Sequence, residues 1–281
     1  MDNGIIIGEL RMTFALTVTL NSLLCRSAVM VQYFFYKNVA CFTNQLFYAF
    51  YTNFSAQSLF DDFNLPSFNM LYTAVPIFIF SFLARNHSEA RLLQLPGLYS
   101  RIAHNALLSA PELLAWFLQG LWHSATVFFG WALYWEGGGG AGGRSLGLCV
   151  YTTLVLVVSA KLVLHTRALG WQLLLSVLGS GLAFVLLNLA ASSPLLGPGL
   201  GLGDPGMLAV AAAVFSAPAV WGRALLLAVL ALLPDVVLRV ARKHWTRHKV
   251  PDSGGVESQR GRYRVGPATG VRMEPVSASL E

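Results

Sequence analysis

Apolar residues in this chain come in long blocks broken by short polar stretches, not in strand-like alternation. The most aromatic block runs from Val31 to Asp62, VQYFFYKNVACFTNQLFYAFYTNFSAQSLFDD, with Lys37 and Asn38 set inside it. About twenty consecutive apolar residues suffice for a helix to cross a bilayer. The blocks therefore predict six spans, at about Ala28 to Phe54, Phe68 to Leu83, Pro111 to Tyr134, Leu146 to Leu164, Trp171 to Ala191 and Val220 to Val240. The expected fold class is all-α, a polytopic bundle of six transmembrane helices. Met207 to Ser216 reads as a short interfacial piece ended by Pro218.

Composition sharpens this reading. Of 281 residues 55% are apolar and 11% charged, with a mean hydropathy of +0.59. Soluble domains carry roughly 25% charged residues, so a globular soluble enzyme is excluded. The net charge of +6 does not point to nucleic acid, because lysines and arginines collect at the ends of apolar blocks. Arg85, Arg91 and Arg101 mark the second connection as cytoplasmic, whereas Asp61 and Asp62 suit an exterior loop. This bias puts both termini in the cytoplasm, with Arg144 the one basic residue on the wrong side.

Residues 1–27 read as a helical lead-in, 28–240 as the six-span domain and 241–281 as a basic, disordered tail. A cleaved signal is disfavoured by Asp2 and Glu9. GGGGAGG, before Arg144, is a flexible linker and not a phosphate loop, since no GK[ST] follows. Trp131 and Trp135 are expected in the outer aromatic belt, Trp122 in packing, and Asp235 at the inner interface rather than in a proton relay. Cys25, Cys41 and Cys149 match neither a disulfide framework nor a zinc site and read as small buried residues.

A lysine at mid-span costs about 2.5–3.5 kcal/mol and calls for a partner or a task. From spacing alone Lys37 lies either there or, if the span starts at Val39, at the interface, where it would snorkel. Asn69 and Pro76 in the second span read by themselves as packing features of a bundle interior, with a helix kink at Pro76.

The strings VQYFFYKNV, NFSAQSLFDD, FNMLYTAVPIF, LPGLY, HSATVFFG, SAKLVLHT and LLPDVV, in this order, resemble the type IV P-type ATPases, the phospholipid flippases, closest to the class VI animal branch. The resemblance covers roughly Val31 to His248 and implies the last six membrane helices of such an enzyme. It implies that Lys37, Asn38 and Asn69 line a lipid head-group path. An ammonium and two carboxamides there would replace the head group's water. It also implies aminophospholipid substrates, phosphatidylserine and phosphatidylethanolamine, a membrane-glycoprotein accessory subunit, and residence in the plasma, endosomal, Golgi or endoplasmic reticulum membrane. Mg and ATP are cofactors of the full-length family, but none is expected in this chain. DKTG, TGE, the nucleotide-binding lysine motif and GDGxND do not occur in it. No hydrophilic stretch approaches the roughly 100–150 residues of a typical domain. The chain therefore reads as a non-hydrolysing fragment that works with a separate N-terminal half; the alternative is a six-span protein that conducts lipid or ions passively or regulates flippase subunits.

Overall fold

In a computed structural model the described residues are 2–83, 108–136, 142–166, 170–191, 193 and 207–249; among them there is helix and no strand. The helices are α1 (Asp2–Tyr51), α2 (Asn64–Ser67), α3 (Ala74–Leu83), α4 (Ala110–Tyr134), α5 (Gly143–His165), α6 (Trp171–Ala191), α7 (Met207–Ser216) and α8 (Pro218–Lys249). A π-helical turn, Phe68–Tyr72, joins α2 to Thr73 and α3. Two compact units are present, Met1–Asp235 and Val236–Glu281; the described part of the second is the last turns of α8.

The lead-in and first span form one helix of 50 residues, about 75 Å at 1.5 Å per residue. Its end is chemically defined. Asn53 takes the left-handed conformation, with φ 51°; its N–H donates to Phe50 O at 3.3 Å, and Phe54 N–H donates to Ala49 O at 2.8 Å. These two bonds are the Schellman stop, which asparagine tolerates better than most residues. Apolar residues continue to Phe54, but the helix does not.

Within the larger unit α1 packs along α4, α4 on α5, α3 on α6, and α7 on α5 and α6. Gly120 of α4 permits the closest approach to α1: a Cβ there would stand 3.0 Å from Val39 Cγ1. In lipid such seams rest on close packing and interhelical hydrogen bonds. Tyr151 on α5 is their hub, ringed by Phe60, Phe68, Tyr72 and Phe184, with its hydroxyl donating to Asn64 O at 2.7 Å. Asn64 Nδ2 donates to Asn188 Oδ1 at 2.9 Å and ties α2 to α6.

Six spans were expected, and among the described residues three helices are long and apolar enough to cross a membrane: Gly143–His165, Trp171–Ala190 and Pro218–Ala241. Helices α1 and α4 have the length, but polar residues such as Lys37, Asn44, Gln119 and His123 dilute their apolarity. The ten described residues of α3 are too few alone. The apolar window of α5 is 83% buried, against 28% for α6 and α8, so α5 is enclosed by protein while the others carry apolar outer faces. On α6 that face is Leu174, Leu178, Leu182 and Leu186, one turn apart.

The expectation for Trp131 is corrected. Trp131 is fully buried, its Nε1 donating to Thr153 Oγ1 at 2.9 Å, so it pins α4 to α5 and does not sit in a belt. Trp122 is half exposed, although its Nε1 reaches Ala231 O at 3.2 Å. Cys41 and Cys149 are free and buried, as their type suggests. The basic connection 84–107, residues 137–141 of the glycine linker, and the tail 250–281 lie outside the described residues.

Candidate functional site

Lys37, in the second half of α1, faces inward and is 1% exposed. Its Nζ donates to Thr73 Oγ1 at 2.7 Å, and Thr73 Oγ1 donates onward to Phe68 O at 2.6 Å. The Phe34 ring lies 4.7 Å from the ammonium. Thr73 and Phe68 bracket the π turn that carries Asn69, so Lys37 is tied to Asn69's segment through Thr73, a residue without a role in the sequence reading. Pro76 lies in the first turn of α3 and cannot donate to the Tyr72 carbonyl one turn back. The helix is irregular on that side of the proline.

The oxygens of both predicted carboxamides, Asn38 Oδ1 and Asn69 Oδ1, are buried and accept no hydrogen bond. Leaving a buried acceptor unpaired costs about 1–3 kcal/mol, so each is a place where a donor is missing. These two segments thus carry one buried lysine and two buried carboxamide oxygens that accept nothing. Among the described residues no cluster of three histidine, cysteine or acidic side chains exists.

A second buried polar centre went unread. Lys161 of α5 donates to Asp235 Oδ2 of α8 at 2.5 Å and to Gln119 Oε1 of α4 at 2.6 Å. It also lies 5.1 Å from the Tyr36 ring and 5.0 Å from that of Trp116. His123 Nδ1 is 2.6 Å from the Tyr36 hydroxyl, and Nε2 is 3.3 Å from Asp235 Oδ2, without a well-aligned hydrogen bond there. A carboxylate only accepts, so the fitting tautomer carries its proton on Nε2 and receives the Tyr36 O–H at Nδ1. Asp235, 10% exposed, thus lies against a lysine and a histidine. Each of VQYFFYKNV, HSATVFFG, SAKLVLHT and LLPDVV holds one member of this centre. A polar residue inside each apolar string was the available signal.

Long apolar helices that set a lysine and an aspartate against one another define an integral membrane protein, because such helices bury charges chiefly in pairs. Residues 21–248 match the family described as phospholipid-translocating P-type ATPase, C-terminal, and the chain belongs to it. The match begins at residue 21, ahead of the first motif at Val31. The chain is 32% identical over 227 residues to mouse Phospholipid-transporting ATPase IH, covering 78% of this chain and 19% of the relative. Against human Phospholipid-transporting ATPase IG it is 31% identical over 242 residues, covering 81% and 21%. The Arabidopsis thaliana protein called Probable phospholipid-transporting ATPase 11 is 29% identical over 161 residues, covering 55% and 13%. The chain thus spans about a fifth of the animal relatives' length.

Proposed function

We propose that residues 28–240 supply the six-span C-terminal transmembrane part of an aminophospholipid flippase, with both ends cytoplasmic and Lys37, Asn38 and Asn69 contributing to the head-group path. The observation that carries this reading is a lysine withheld from solvent and bonded to Thr73, at the end of the turn bearing Asn69, in a family whose members translocate phospholipid. A phosphate crossing hydrocarbon needs a fixed cation, and an amine needs fixed acceptors. Lys37 is the cation, held in place by Thr73; the two asparagine oxygens are the acceptors. Phosphatidylserine and phosphatidylethanolamine both fit that pairing.

Energy input is assigned to phosphorylation and nucleotide domains outside residues 28–240, assisted by the accessory subunit. The test is uptake of fluorescent phosphatidylserine by cells co-expressing this chain and an N-terminal half bearing those domains. Uptake is expected to require both chains and to fall at least tenfold with Lys37→Ala at equal expression. Undiminished uptake by that variant would remove the head-group role. Lipid movement through the purified chain alone, without ATP, would replace the reading with passive conduction.

A further inference from the structure

The ends of α1, α2 and α5 border an open cavity of about 460 Å³ that includes none of Lys37, Asn38 and Asn69. Tyr48, part of its lining, lies about 16 Å along α1 from Lys37, at 1.5 Å per residue. Its polar wall includes Asp61, Asp62, Asn64 and Arg144. Two carboxylates face one guanidinium there, leaving one negative charge in excess. Burial and the adjacent Asp62 push the Asp61 carboxyl above the usual carboxylate range, the mark of an anion whose neighbours compensate it incompletely.

Asn64 adds an independent observation. It is 4% exposed; its Nδ2 is committed to Asn188 and its backbone oxygen to Tyr151, yet Oδ1 accepts nothing. Ser58, by contrast, is satisfied, receiving from Gln45 Nε2 and donating to Phe60 O. The lining therefore offers two carboxylates and a buried amide oxygen that accepts nothing. A divalent metal would want six or more oxygens. A primary ammonium carries three N–H donors and one charge, and matches on both counts.

We propose that this cavity is a binding site for a primary ammonium ion of the kind borne by ethanolamine and serine head groups, with Asp61 and Asp62 supplying the charge and Asn64 Oδ1 the third acceptor. Arg144 places a cation in the same lining, where a phosphate attached to the ammonium would meet it. The ammonium could arrive on a lipid or as a free amine.

The test uses the full 281-residue chain in nanodiscs of phosphatidylglycerol, which carries no amine, titrated calorimetrically with ethanolamine and with short-chain phosphatidylethanolamine. Saturable one-to-one binding is expected, weakened at least tenfold by Asp61→Asn and, on the exposed Asp62, by Asp62→Asn, which poses little risk to folding. Either ligand binding in this way upholds the site, and the tighter of the two identifies the source. Absence of saturable binding, affinities unchanged in both variants, or displacement by calcium at lower concentration than ethanolamine would overturn it. Transport through Lys37 is read by uptake, so either reading can fail while the other stands.

Discussion

The Tyr36 hydroxyl donates to His123 Nδ1 at 2.6 Å, while the next residue, Lys37, donates to Thr73 at 2.7 Å on another side of α1. Successive helical residues point about 100° apart, so the two bonds together set the rotation of α1 about its own axis. Tyr36→Phe keeps the ring and leaves a buried imidazole nitrogen unpaired. The expected loss is about 1–3 kcal/mol of unfolding free energy, measured by chemical denaturation in micelles. Lipid uptake should fall with it if the rotation of α1 presents Lys37 to its path.

Lys161 and Asp235 form the ion pair at the centre of the bundle. Removing one partner strands a buried charge, so Asp235→Asn is expected to cost about 3–5 kcal/mol. Replacing both, as Lys161→Met with Asp235→Leu, should recover most of that loss. A double-mutant cycle on thermal unfolding checks this, and additive losses would show that the pair is not coupled.

Gly147 faces the Leu59 carbonyl so closely that a Cβ would lie 2.0 Å from its oxygen, an approach that backbone atoms cannot relieve by turning a side chain. Gly147→Ala is expected to destabilise by about 1–3 kcal/mol and to distort the cavity mouth. Gly179 has open space around the same position, and Gly179→Ala should be neutral or slightly stabilising. The difference in melting temperature between the two variants is the measurement.

The raised Asp61 pKa has a defined sign in the ligand-free protein. The folded state holds this proton more tightly than the unfolded chain, so ionised Asp61 detracts from stability above its folded pKa. That penalty fades as pH falls through the folded value towards the unfolded one near 4. Asp61→Asn is therefore expected to raise the melting temperature at pH 7 and to lose that advantage by about pH 4, in scans made without amine.

The sequence by itself determined the class of molecule. Too few charges and apolar blocks of helical length leave only a helical membrane protein, and the family motifs lie where the match finds them. Expected boundaries such as Trp171 to Ala191 agree with α6, because apolar length and local stops are properties of the chain itself. Lys37 was legible as a candidate for a related reason: a lysine inside an apolar run is conspicuous before any fold is known.

The tertiary structure alone decided which faces meet. Trp131 turned inward, Asp235 found Lys161 and His123, and Thr73 became the partner of Lys37. In water an amphipathic stripe tells which side of a helix is buried. In a bilayer the lipid face and the packed face are both apolar, so hydropathy leaves the rotation of each helix undetermined. That rotation is settled by shape and by hydrogen bonds between residues far apart in sequence.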